Sequence, residues 1–311
     1  MSEFHHVSVL LDECIEGLNI KPDGIYVDGT LGGAGHSRQI AKRLTTGRLI
    51  GIDRDQVALA AARERLADVE DRVTLVHSNF SQISQVLDDL GIDAVDGILL
   101  DLGVSSPQLD DGERGFSYMA DAPLDMRMNR SDALSAYEVV NTWSYEELRR
   151  ILFDYGEERY APRIADAICR RREEKQIQTT MELVDVIRAA MPAAALREKQ
   201  HPAKRSFQAV RIAVNDELGA VQTVMDTVIP RLRTGGRLAI ITFHSLEDRI
   251  VKNGMANAAK GCTCPPNFPV CVCGKTAAVK LIARKPITAT EEELERNPRS
   301  RSAKLRVCEK I

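Results

Sequence analysis

The first chemical signal in the sequence is a set of three acidic residues arranged around a glycine-rich segment. Asp28-Gly29-Thr30-Leu31-Gly32-Gly33-Ala34-Gly35-His36 joins a carboxylate to four glycines. Glycines let a backbone turn tightly and approach a ligand closely, and a helix starting after them offers unpaired N–H groups. Asp53 lies 18 residues past Gly35, where a carboxylate can accept hydrogen bonds from both hydroxyls of a ribose. Asp101 is the third acid. Two common phosphate-binding signatures fail: Gly33-Ala34-Gly35-His36-Ser37-Arg38 lacks the last glycine of G-x-G-x-x-G, and no Gly-Lys-Ser/Thr follows. What remains suits a nucleoside that carries a positive centre and no phosphates, a description that S-adenosylmethionine fits. On this reading Asp28 faces the methionyl ammonium or sulfonium, Asp53 holds the ribose, and Phe80 packs against adenine. The plain alternatives are an ordinary strand–helix turn and a core phenylalanine.

A second cluster is made of sulfur. Cys262, Cys264, Cys271 and Cys273 place four of the seven cysteines within twelve residues, in a stretch that also carries Pro265, Pro266 and Pro269. Four thiolates can hold a zinc ion tetrahedrally, although C-x-C spacing is less usual than C-x2-C in such sites. A reduced, metal-free loop and a disulfide or redox pair are the alternatives. Cys14, Cys169 and Cys308 read as packing residues.

These residues need a scaffold, and the apolar pattern supplies one. Short apolar runs at Ile25–Asp28, Arg48–Asp53, Val73–Val76 and Gly97–Asp101 alternate with helical patterns at His36–Leu44, Val57–Leu66 and Ile83–Leu90. Such alternation predicts a parallel, doubly wound α/β sheet, with the three acids at strand ends where ligands bind. The alternation then stops. Residues 102–131 read as a polar loop with few apolar anchors, and 132–203 as helices only, including Tyr145–Phe153, Pro162–Arg172 and Met181–Ala190 behind a Thr179-Thr180 cap. Phe207, Val210, Val214, Leu218 and Val221 form the stripe of one long amphipathic helix ended by Gly235-Gly236. A fifth strand follows at Arg237–Phe243, with later strands at Ala278–Ala283 and Ala303–Cys308. The expected division is a sheet domain over 1–131 and 204–311, interrupted by a helical substrate-recognition domain over 132–203.

Composition narrows the setting. With 311 residues, 44% hydrophobic and 28% charged, the chain is an ordinary globular protein rather than a disordered or fibrous one. No apolar run approaches a membrane span, and the start has no secretory pattern. Seven cysteines without an export signal suggest a reduced, cytoplasmic location. A net charge of −3 excludes a chain coated with nonspecific nucleic-acid-binding surface, so such a site must be local. Local basic clusters exist: Arg197, Lys199, His201, Lys204, Arg205 and Arg211; Arg114, Arg127 and Arg130; and a stretch after Gly274 with ten Lys/Arg against five Glu. Each is solvated surface or a phosphate contact.

The motifs resemble, over essentially the whole length, the MraW/RsmH family of bacterial small-subunit rRNA methyltransferases. The similarity is carried by His6–Glu13, Tyr26–Ser37, Ile52–Asp55, Asp101–Asp110, Arg114–Ser117, Pro123–Met128, Ala209–Leu218 and Phe243–Arg249. The resemblance implies a class I S-adenosylmethionine-dependent methyltransferase with an inserted helical domain. The implied reaction methylates N4 of a decoding-centre (P-site) cytidine in 16S rRNA. The implied partner is that rRNA within the small ribosomal subunit, and a homodimer is also admitted. Carried over by match, the cofactor contacts fall on Ala34, Gly35, His36, Asp53, Phe80, Asp101 and Gln108. The family often has glycine at the position of Ala34.

Many amino-methyltransferases carry Asp/Asn-Pro-Pro-aromatic after the fourth strand, but this chain has Asp101-Leu102-Gly103-Val104-Ser105-Ser106-Pro107. Asp101, or the Ser105 and Ser106 hydroxyls, is therefore expected to orient the amine. His244 is expected to face the same crevice as a second catalytic candidate, its alternative being a structural histidine. Two other functions compete: a nucleotide-dependent dehydrogenase, which the missing glycine disfavours, and a non-catalytic RNA-binding assembly factor.

Overall fold

A computed structural model describes residues 8–262, 264–265, 268, 270 and 272–311, Ser106 by its backbone alone. Seven strands form one sheet: β1 (Ile25–Asp28), β2 (Arg48–Asp53), β3 (Val73–His77), β4 (Val95–Asp101), β5 (Leu232–Thr242), β6 (Val279–Leu281) and β7 (Lys304–Lys310). Their order is β3-β2-β1-β4-β5-β7-β6. Strands β1 to β5 pair in parallel, and β7 runs antiparallel to both β5 and β6.

Successive side chains of a strand point to opposite faces, and a parallel sheet needs both covered. The sequence meets that demand: Tyr26, Leu99, Ala239 and Ile241 enter one core, and Val27, Ile98, Leu100, Leu238 and Ile240 the other. Winding reverses between β1 and β4, which puts the ligand crevice of such sheets at the carboxyl ends of these two strands.

The chain divides into two compact units, 8–103 with 218–311 and 104–217. In the sheet unit α1 (Leu11–Leu18), α2 (Gly35–Ala41) and α3 (Gln56–Arg65) pack on the first face, and α4 (Ile83–Asp89) on the second. The helical unit holds α5 (Ser106–Asp110), α6 (Ala136–Thr142), α7 (Tyr145–Asp154), α8 (Ala161–Glu174), α9 (Thr180–Ala190), α10 (Ala193–Leu196) and α11 (Lys204–Asn215). Capping boxes start α5, α6, α7 and α9, the last through Thr179 and Glu182. The sheet unit resumes with α12 (Glu217–Thr227) and α13 (Ser245–Ala259).

Three expectations change. The insertion spans 104–217 rather than 132–203, because the segment read as an unanchored loop buries Phe116, Leu124, Met126 and Met128 in the helical core. Asn215 fastens it: its amide donates to the Met126 carbonyl (2.7 Å) and accepts from Met128 N–H (2.8 Å). The single long helix is two, broken at Asp216, which adopts a left-handed φ of 46°. Phe207, Val210 and Val214 thus serve the helical core and Val221 the sheet core. Finally, Gly235-Gly236 lies inside β5, at an irregularity in its pairing with β4, and α12 has already stopped before Pro230.

Candidate active site at the carboxyl edge of the sheet

The glycine loop leaves β1 and is braced from two sides. Gly29 N–H donates to the Leu99 carbonyl (2.9 Å), and Leu31 N–H to that of Ile52 (3.1 Å), tying the loop to β4 and β2. Gly32 turns with φ 46°, and Ala34 repeats the left-handed conformation (φ 58°) just before α2. At Gly35 an added Cβ would overlap the Ser8 hydroxyl, so the backbone approach there tolerates no side chain.

The three strand-end acids divide their work. Asp28 is 1% exposed; its Oδ1 accepts from Thr30 N–H (3.1 Å) and its Oδ2 from the Ser37 hydroxyl (2.7 Å). Each oxygen thus accepts one hydrogen bond that shapes the loop, and at 1% exposure little of this carboxylate is open to a ligand. Asp53 accepts from Gly32 N–H through Oδ2 and from Asp55 N–H through Oδ1, both at 2.8 Å. Each carboxylate oxygen keeps a second lone pair, so Asp53 can brace the loop and still take a hydroxyl. Asp101 is different. Its backbone N–H donates to Thr30 Oγ1 (2.6 Å), but its Oδ1 is buried with no hydrogen-bond partner among the described residues.

Burial raises all three carboxyl pKa values. Asp53 is pushed up to about 6 against the pull of its two N–H donors. Asp101 is pushed up to about 8, by burial first and then by the negative charges of Asp28 and Glu247. His36, 6% exposed, is pushed down to about 4 by burial, so the ring is neutral at pH 7. Its Nε2 lies 3.0 Å from the Val9 carbonyl. A carbonyl only accepts, which assigns the proton to Nε2 and leaves Nδ1 unprotonated, 3.9 Å from Asp101 Oδ2.

Phe80 opens a short 3-10 turn after β3, capped by Asn79 accepting from Ser81 N–H (3.0 Å). It is half-buried against the core, and Gly29 makes room for it: a Cβ there would come within 3.1 Å of the Phe80 Cβ. His244 ends the loop after β5 and caps α13, with Nε2 3.1 Å from Glu247 Oε1. Glu247, 1% exposed, also accepts from Phe243 N–H (3.0 Å). Glu247 was not singled out from sequence; its position three residues after a helix-capping His is the signal that could have found it. Gln108 belongs to the helical unit, where its side chain accepts from Ser105 N–H (3.1 Å) and its own N–H donates to Ser105 Oγ. The Ser106 side chain lies outside the described part.

Three described cysteines, Cys262, Cys264 and Cys273, bring their sulfurs within 4.8 Å of one another; Cys271 lies outside the described residues. The basic clusters separate by partner. Arg211 is bound by Glu217 through two 2.8 Å contacts. Arg114 is buried, donating to the Arg127 and Met128 carbonyls, and Arg127 pairs with Asp125. His201 stacks on Tyr118 at 4.6 Å. Lys304 and Arg306 pair with Asp248. Arg197, Lys199 and Lys204 are exposed, as are Arg205, which donates to the Glu157 carbonyl (2.9 Å), and Arg130, 3.9 Å from Asp111.

The sequence profile of the MraW methylase family matches residues 3–311. The chain is 60% identical to the ribosomal RNA small subunit methyltransferase H of Brevibacillus brevis, covering 99% of this chain and 98% of that protein. It is 59% identical to the protein of the same name from Heliobacterium mobile (99% and 100% covered). With that from Clostridioides difficile the identity is 57%, over 99% and 100%. Together with the sheet order and the braced glycine loop, this match across the full span establishes that the chain belongs to the MraW methylase family, a class I methyltransferase that draws its methyl group from S-adenosylmethionine.

Proposed function

We propose that the chain methylates N4 of the decoding-centre (P-site) cytidine of 16S rRNA within the small ribosomal subunit, in the cytoplasm. Its relatives' names support an rRNA substrate, and one observation carries the chemistry: the buried, unpartnered Oδ1 of Asp101 at the end of β4. A buried acceptor without a partner costs roughly 1–3 kcal/mol, which a ligand bearing a positive charge or a donor offsets.

The residues present fit the methyl donor on that ground. Asp101 offers the anionic oxygen, Asp53 keeps lone pairs for a ribose, and the half-buried Phe80 offers a ring. When bound, S-adenosylmethionine supplies an electrophilic methyl group on a sulfonium sulfur. Ala34 and His36 complete the proposed contacts within the sheet unit.

Cytosine's exocyclic amine is a weak nucleophile, because its lone pair is delocalised into the ring. Asp101, in the carboxylate form that the bound cationic donor favours, accepts an N–H of that amine and takes its proton. His244 is the second catalytic candidate: both its ring nitrogens are buried without a hydrogen-bond partner among the described residues, Nε2 lying 3.1 Å from Glu247 Oε1. A cytidine in folded RNA must leave its stack to be modified. Lys199, Lys204 and Arg205, exposed on the helical unit, contact phosphates of the substrate RNA.

The test is methyl transfer from labelled S-adenosylmethionine to small subunits taken from cells lacking the enzyme, with nucleosides from the 16S rRNA resolved by mass spectrometry. N4-methylcytidine at one site is expected. Subunits that bind the protein but gain no label would make it a non-catalytic assembly factor. Label on another base would overturn the substrate.

A further inference from the structure

The Cys262–Cys273 loop takes no part in the methyl-transfer site, and its geometry is not that of a loop packed for its own stability. It joins α13 to β6. Its apolar members are outside the core: Phe268 is 51% exposed, Val270 70% and Val272 73%. Hydrophobic burial therefore does not explain why three cysteines from the two ends of the loop converge.

They converge closely. The Cys262 and Cys273 sulfurs, eleven positions apart in the chain, are 3.7 Å apart, and Cys264 Sγ joins them within 4.8 Å. Two sulfurs bound to one tetrahedral zinc at about 2.3 Å each are separated by about 3.8 Å. A disulfide would require about 2.05 Å and would leave the third sulfur unexplained. Backbone N–H groups also point at the sulfurs: Cys264 N–H donates to Cys262 Sγ and Val272 N–H to Cys264 Sγ, both at 3.4 Å. Such outer contacts orient ligands in metal sites.

We propose that Cys262, Cys264 and Cys273 are ligands of a thiolate-bound zinc ion that clamps the α13–β6 connection. Each thiol gives its proton to solvent on ligation, and no electron transfer is involved. The base of the loop is secured independently of the metal, since Lys275 Nζ donates to the Asn257 carbonyl (2.9 Å) and Ala278 N–H to that of Ala258 (2.8 Å). Loss of the ion thus loosens the loop without dismantling the sheet, and Cys-to-Ser variants are expected to fold.

The experiment uses the full chain, produced in zinc-supplemented medium and purified under reducing conditions. Elemental analysis should give about one zinc per chain. Exchange for cobalt(II) should give the sulfur-to-cobalt charge-transfer band and the strong visible absorption of a tetrahedral site. Cys262→Ser and Cys273→Ser should lose the ion, whereas Cys169→Ser, on α8, should keep it. Protein that stays metal-free when titrated with zinc and cobalt overturns the proposal. So does bound metal indifferent to both substitutions, or a non-reducing thiol count two below the reduced one. The cobalt spectrum of the unaltered chain decides the matter even if a variant misfolds.

Discussion

Replacing Asp101 by Asn should make the protein more stable and worse at binding its donor. The carboxyl pKa is about 8 in the folded chain against about 3.9 in an unfolded one. The folded state therefore binds more protons than the unfolded state between these values, and stability falls as pH rises through the window. At roughly 1.36 kcal/mol per pH unit, the fall amounts to about 2 kcal/mol between pH 6.5 and 8. Asp101 dominates that interval, because folded His36, at about 4, and Asp53, at about 6, are largely past their titrations, and unfolded His36, near 6.5, adds only about 0.4 kcal/mol of opposite sign. Asn is isosteric and uncharged, so Asp101→Asn should remove the slope and gain on the order of 5 kcal/mol at pH 8. The assay must follow the sheet unit. Trp143, the only tryptophan, sits in the helical core and would report the wrong one. Hydrogen exchange of β1 and β4 amides, measured from pH 6.5 to 8, reads the right one. The same carboxyl should ionise when the cationic donor binds, so calorimetry at pH 7 in two buffers of different ionisation enthalpy should detect proton release with wild type and none with Asp101→Asn. Equal pH slopes in the two proteins, or binding without proton release in the wild type, would refute the reasoning.

Three further outcomes follow from named contacts. His36 is neutral in the fold but protonates near pH 6.5 when unfolded, so it withdraws on the order of 3 kcal/mol as pH falls from about 6.5 to 4, against the opposite gain from the raised Asp101 and Asp53 carboxyls; in urea titrations His36→Gln should therefore gain more stability than the wild type over that interval, and equal slopes would refute this. Ala34→Gly relieves a left-handed alanine and should stabilise the chain by about 0.5–1 kcal/mol after the greater freedom of unfolded glycine is subtracted; denaturant midpoints check this, and a lower midpoint refutes it. Replacing Lys204 and Arg205 together by Ala should weaken rRNA binding and reduce the slope of log affinity against log salt by about 2; an unchanged slope would return both residues to scaffolding.

The sheet was legible in the sequence because its strands are buried on both faces and read as unbroken apolar runs such as Gly97–Leu100. Boundaries failed where one side chain replaces a secondary-structure partner. Nothing in the residue types between 104 and 131 announces that the Asn215 amide will serve Met126 and Met128. Nor does helical periodicity register the left-handed turn at Asp216, since the apolar spacing continues across it. At the site, residue types identified the acids but not their division of labour. Asp28, Asp53 and Asp101 look equivalent along the chain, and only the directions of the Thr30, Ser37 and Gly32 donors reveal that one oxygen, on Asp101, is left over.

Strand β7 has a consequence for how the molecule is made. It lies inside the sheet, between β5 and β6, and Leu305 and Cys308 are wholly enclosed. Until the chain has been synthesised through Lys310, β5 presents a bare apolar edge and β6 has no neighbour. The part of the sheet beyond β5 is therefore completed only once β7 has emerged, and the nascent chain carries an aggregation-prone border until then.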